Sequence, residues 1–166
     1  KKNISFKQFN IITPRKSFGG ILKYIIFFPI EILTLFIYFK TQKFDIVHIN
    51  SSFQFKGLLA AYLSGTHTVW HLNDTQTPKI VKIIFSILSP LSNSFIFASQ
   101  KSKLYYSDLL DKRKFNSVIQ APVNTKEFKL TKLSYGDKSK NIKIGTICNP
   151  NPVKDLFTYI KVAKKI

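Results

Sequence analysis

The sequence predicts an α/β protein built around a parallel sheet. Short apolar runs rich in β-branched and aromatic residues alternate with longer stretches of helical periodicity. Several of these runs pass into polar or small residues before the next helix, as strand–helix–strand units require. The 166 residues are 45% hydrophobic, enough to give such a sheet a core.

Residues 1–18 contain Pro14 and read as a strand or loop leading into the first clear helix. Residues 19–41, GGILKYIIFFPIEILTLFIYFKT, approach the length and apolarity of a membrane span. Lys23, Glu31, Thr34, Tyr38 and Thr41 interrupt the run. On a helical projection these five fall within an arc of about 80°. The expectation is therefore an amphipathic helix with a narrow wet stripe, kinked at Pro29, that packs on the protein or lies along a lipid surface. A true span is the competing reading.

Alternating units follow. DIVHIN (45–50) reads as a strand, and 52–64 as a helix stopped by Gly65. HTVWHL (67–72) is a strand, and 77–89 a helix with Pro78 in its first turn. SFIFAS (94–99) is a strand and 100–110 a helix; SVIQAPV (117–123) is a further strand. Residues 124–141 are polar and lysine-rich and read as a linker. IKIGTI (142–147) is a strand, CNPNP a loop and 153–165 a helix. The domain expectation is thus 1–123, a linker at 124–141, and the beginning of a second domain at 142–166. The chain opens on Lys1 and has no methionine, which predicts an internal or processed piece of a longer protein.

The net charge is +18, from 26 basic and 8 acidic residues, and it is spread evenly along the chain. Only Arg15 and Arg113 are arginines. Readers of bases and phosphates rely on the planar guanidinium, so nucleic acid is not expected as a partner. A lysine-rich surface suits diffuse attraction to phosphates or to an anionic membrane, and skewed codon usage explains it equally well. The single Cys148 excludes an internal disulfide and fits a reducing, cytoplasmic setting. The three histidines do not have the spacing of a metal set, and no metal is expected. Neither a G-x-S-x-G turn nor a G-x-x-x-x-G-K loop is present.

The order of segments resembles the retaining sugar-nucleotide glycosyltransferases of family 4, which have the GT-B fold. FDIVHINSSFQFKGLLAAYLSG resembles that family's D-V-V-H strand and following helix. HTVWHLND resembles its next strand, SNSFIFASQKSKLYY the D-x-V-I-A-V-S unit, and SVIQAPVNTKEF the V-I-P-N-G-V-D-x-x-x-F segment that leaves the first domain. IKIGTICNPNPVKDLFTYIKVAKKI resembles the opening of the nucleotide-binding domain. The likeness spans roughly residues 20–166. The family's glycine-rich loop is not recognisable, and its paired-glutamate motif is absent.

The resemblance implies a Rossmann-like, acceptor-side sheet followed by the first βα unit of a second Rossmann-like domain. It implies a nucleotide-diphosphate sugar as donor and a saccharide or lipid-linked acceptor, possible contact with the inner face of a membrane, and no cofactor. Lys154 would meet the donor diphosphate at a helix N-terminus, where free N–H groups and the helix dipole favour anions. Asn149 stands where the family usually has an arginine, and Gly145 would let the loop approach the ligand. His71, at the end of its strand, would lie beside the donor sugar. Asp74 has two readings, a proton acceptor for the acceptor hydroxyl or a cap for the helix near Thr77. His48 reads as a buried, hydrogen-bonded histidine, His67 as surface, and Ser51 or Ser52 as a cap of the next helix, while Asn50, Ser51 and Ser52 together are a second candidate lining for the acceptor side of the cleft. The alternative to an enzyme is a basic α/β module that binds anionic lipid or nucleic acid.

Overall fold

The computed structural model describes residues 6–14, 17–111, 114–126, 145–148 and 154–165. The chain divides into two compact units, Lys1–Pro122 and Val123–Ile166.

The first unit is α/β with a four-stranded parallel sheet. Its elements are α1 (Phe18–Gln42), β1 (Ile46–Asn50), α2 (Phe55–Ser64), β2 (His67–Leu72), α3 (Lys79–Leu88), β3 (Ser94–Phe97), α4 (Gln100–Tyr106) and β4 (Phe115–Val118). The strands lie in the order β1-β2-β3-β4, each parallel to its neighbours. Every step crosses over in the same direction through a helix, which carries the connecting helices to one face of the sheet. Alternation along the strands then sorts the residues. Ile49, Trp70, Leu72, Phe95 and Phe97 turn toward the helices and form the core with Leu58, Phe85 and Tyr106. His48, Val69, His71 and Ile96 turn the other way and keep some exposure.

The start and stop signals act locally as their chemistry requires. Gly65 ends α2 in the left-handed conformation at φ 74°. Ser99 and Ser102 form a reciprocal capping box on α4, with Ser99 Oγ accepting from Ser102 N at 3.1 Å and Ser102 Oγ accepting from Ser99 N at 3.0 Å. Pro78 stands at the N-cap of α3, one place before the first turn expected for it, and Pro90 opens a short 3₁₀ turn at Ser89–Leu91. β4 starts at Phe115 and ends at Val118, so the strand expected at 117–123 is displaced toward the N-terminus. Its register is set by β3, with Ser94 opposite Phe115, and Pro122 further on has no N–H to extend a ladder. Residues 6–14 have no regular structure.

Helix α1 departs from expectation in a way that matters below. It runs unbroken through Pro29 from Ser17, which caps it, to Lys43 at φ 52°. Its inner face carries Tyr24, Phe28, Glu31 and Leu35, packed toward α2. Glu31 is therefore not on a wet stripe. It is buried and ion-paired with the buried Lys56 of α2. Glu31 also accepts from Ile12 N at 2.8 Å, and Lys56 donates to the Ile12 carbonyl at 2.8 Å. The Lys56 ammonium sits 3.9 Å from the Tyr24 ring centroid. Both buried charges are thus paired and hydrogen-bonded, the condition under which burial is tolerated.

In the second unit, α5 (Leu156–Ala163) follows Asp155, and residues 145–148 have no regular structure. The expected linker beyond Lys126, the first three residues of the strand expected at 142–147, residues 149–152 of the expected loop and the first residue of the helix expected at 153–165 lie outside the described residues. Within that strand, 145–147 are not in strand conformation.

Candidate functional site at the carboxyl ends of β1 and β2

In open parallel sheets, ligands bind beyond the carboxyl ends of the strands, where loops leave toward the helices. In this chain those ends carry Asn50 as the last residue of β1 with Ser51 and Ser52 after it, and Asn73 and Asp74 after β2. Register places Asn50 directly opposite His71.

The turn after β1 is unusual. Ser51 has φ 87°, a left-handed conformation that costs a non-glycine residue free energy. Three hydrogen bonds hold it there. Ser51 N donates to the His71 carbonyl at 2.9 Å, Trp70 Nε1 donates to the Ser51 carbonyl at 3.0 Å, and Gln54 N donates to that same carbonyl at 3.4 Å. The turn aims Ser52 inward, and its hydroxyl donates to Asp74 Oδ2 at 2.8 Å. The other carboxylate oxygen, Oδ1, accepts from Tyr106 OH. Ser52 and Tyr106 are fully buried. Burial, then the hydrogen bond to Asp74, pushes the Tyr106 phenol well above its ordinary range, which favours the protonated, donating form.

Two expectations change here. Neither serine caps α2: its N-cap is Gln54, without a side-chain bond, because Ser52 is committed to Asp74. Asp74 does not cap α3 either: the N-cap of that helix is Pro78, four residues on, and the Asp74 oxygens accept from hydroxyls of β1's turn and of α4. The β2–α3 loop is instead fastened at Thr77, whose N donates to Tyr105 OH at 3.1 Å and whose hydroxyl lies 3.0 Å from it. The Tyr105 phenol is lowered, first by its hydrogen bonds with Thr77, against a smaller opposing effect of burial.

His71 and His48 lie side by side on the face turned away from α2–α4. Their rings stack at 5.4 Å with 15° between planes. His48 is exposed, so it is not the buried histidine expected: β1 is a sheet edge, and its outer face is open. His67 is exposed, as its place at the strand's entry predicts. His71 Nε2 is inaccessible to solvent yet has no hydrogen-bond partner among the described residues. Burial, and next the neighbouring His48, lower the His71 pKa below its usual value, which favours the neutral ring. Asn73 Nδ2 donates weakly to Asn50 Oδ1 at 3.4 Å across the same strand ends.

His71 and Asp74 thus belong to one region, whereas Lys154 and Gly145 belong to the other unit. Lys154 is exposed and immediately precedes Asp155, which takes the N-cap of α5. The Asp155 carboxylate accepts from Thr158 N at 3.3 Å, filling a place where an anion was expected to dock. A Cβ on Gly145 would meet nothing within 4 Å, so no contact among the described residues demands a glycine there. Asn149 lies outside the described residues. Among the described residues no group of three His, Cys, Asp or Glu is placed to hold a metal ion.

Tyr105 and Tyr106 were not legible as site residues, and Ser52 was placed at the strand end but not with its partner Asp74. Their partners lie 22 to 32 positions away in sequence. The one available signal is spacing: Ser102 and Tyr106 are four apart on α4 and share its buried face.

The chain matches no protein-family model, no curated protein and no solved structure.

Proposed function

We propose that this chain is part of a retaining, GT-B-type glycosyltransferase that moves a sugar from a nucleotide-diphosphate donor to a saccharide or lipid-linked acceptor. The observation that carries the reading is the set of polar groups at the carboxyl ends of β1 and β2. There His71, whose pKa is lowered by burial and whose Nε2 has no partner among the described residues, stands beside a loop tied through Asp74. The order of sequence segments that resembles the family supports it.

In this reading the partly exposed His71 ring stands beside the sugar, and its lowered pKa keeps it from adding charge near a ring that becomes cationic. Asp74, with both oxygens already accepting, positions the β2–α3 loop. Lys154 meets the leaving diphosphate, whose negative charge grows as the glycosidic bond breaks. Asp155 beside it weakens that attraction, and Asn149 would supply hydrogen bonds where the family supplies charge.

Binding of a panel of nucleotide-diphosphate sugars to the full-length protein, measured calorimetrically, tests the reading. Saturable binding is expected, and transfer with the donor's anomeric configuration kept. Lys154→Ala should weaken donor binding roughly 10- to 150-fold, the worth of one charge-assisted contact of about 1.5–3 kcal/mol. Lys161→Ala, on the same helix, should change it little. The absence of binding to every donor, together with salt-sensitive binding of nucleic acid, would replace the enzyme with a basic binding module.

A further inference from the structure

Helix α1 is inverted relative to an ordinary surface helix. Its inner side holds the Glu31–Lys56 pair, while its outer side is aliphatic and exposed. Leu22, Ile26, Ile30, Leu33 and Ile37 project within about 80° of one another on a helical projection. All five are 47–56% exposed. Leu63 of the neighbouring α2, 59% exposed, joins Pro29, Leu33 and Phe36 around a shallow hollow and widens the patch. The stripe runs most of a helix about 37 Å long. A continuous exposed apolar surface of that extent marks an interaction site rather than scattered surface residues.

The charges at the rim select the partner. Lys23 lies at one shoulder of the stripe, Lys40 near its far end, and Lys43 just past the helix. No acidic residue of α1 faces outward, because the only one, Glu31, is buried. A second copy of this chain, itself +18, would bring like charges to the same rim. An anionic bilayer offers hydrocarbon for the stripe and phosphate for the lysines. Crossing the bilayer is disfavoured by the same inner face. A spanning α1, 18 of whose residues average a hydropathy of 2.0, would have to leave α2 and carry Glu31 into hydrocarbon without Lys56.

We infer that the outer face of α1, with Leu63 of α2, is a docking surface for an anionic lipid bilayer, on which the helix lies flat. The inference stands independently of the glycosyltransferase reading, since binding to vesicles requires no sugar donor.

Co-flotation of the full chain with phosphatidylcholine–phosphatidylglycerol vesicles tests it, with pure phosphatidylcholine as the comparison. Strong, salt-weakened binding to the anionic vesicles is expected, with release by alkaline carbonate. Ile26→Gln and Leu33→Gln should each weaken it about tenfold, and Lys23→Gln and Lys40→Gln about fivefold each. All four positions face solvent, so circular dichroism of the variants should match the parent. Retention through carbonate but release by detergent would make α1 a span and overturn the inference. So would a dimer in solution that Leu33→Gln dissolves, or equal binding to neutral and anionic vesicles.

Discussion

Asp74 and Asp155 both precede a helix, and for Asp74 the sequence left open a role toward ligand or as a cap. Their surroundings make them different groups. Asp74 is gripped from two sides by buried hydroxyls, from Ser52 at the end of one strand and Tyr106 at the end of a distant helix. Asp155 is exposed and makes one local bond, to the amide of Thr158 three residues on. The same side chain therefore acts as a tertiary clasp in the first unit and as a secondary-structure cap in the second. What decides is whether the groups it satisfies have water as an alternative.

The clasp is the place to break this comparison with the largest effect. Asp74→Ala leaves two buried hydroxyl donors without an acceptor. At about 1–3 kcal/mol for each orphaned group, a loss of roughly 2–6 kcal/mol is expected. Urea unfolding followed by Trp70 fluorescence reads it directly, since the Trp70 indole bonds to the turn that carries Ser52. Tyr106→Phe with Asp74→Ala should cost less than the sum of the two, because the pair is coupled. An unchanged urea midpoint for Asp74→Ala would mean the clasp carries no stability.

The fold was largely legible from sequence and the clasp was not, for a physical reason. Strand HTVWHL occupies its expected residues because β-formers between turn signals determine it locally. The parallel arrangement follows from the alternation of elements. Asp74 was noticed as a polar residue at a strand end, but its two partners come from other elements, and no local pattern announces them. His48 was misjudged because an apolar strand reads as buried on both faces, while β1 lies at an edge whose outer side is open. The stripe on α1 was misread at one residue for a similar reason: Lys23, Thr34 and Thr41 are exposed as expected, but Glu31 is buried. Projection separates polar from apolar faces, but only Lys56 on α2 determines that the side bearing Glu31 turns inward.

The exposed member of the pair should respond more weakly and only locally. Asp155→Ala removes the N-cap of α5, worth about 0.5–2 kcal/mol to that helix. Hydrogen exchange at the Thr158 amide should accelerate by roughly 2- to 30-fold, while the protection of β2 amides stays as in the parent. Loss of protection in β2 would show Asp155 to be more than a local cap. In the same variant the start of α5 loses a negative charge beside Lys154. Donor binding, if Lys154 contacts diphosphate, should then tighten even as the helix frays.

The smallest effect concerns pH and belongs to the buried side of the comparison. The His71 pKa lies below its ordinary value of about 6.5, chiefly through burial and next through His48. A basic group with a depressed folded pKa binds fewer protons in the folded chain than in the unfolded one. The stability tied to it is therefore fully present above about pH 6.5 and declines as pH falls through that value toward the folded pKa. His71→Gln removes this dependence, so the gap between urea midpoints at pH 7.5 and 5.5 should narrow relative to the parent. His67→Gln changes an exposed imidazole on the same strand and should leave the gap nearly intact. The shift should be modest, because His71 is only partly buried. If both variants narrowed the gap equally, the acid sensitivity would belong to the chain's overall positive charge rather than to this ring. An unchanged gap in His71→Gln would show that the enclosure of Nε2 does not bear on its protonation.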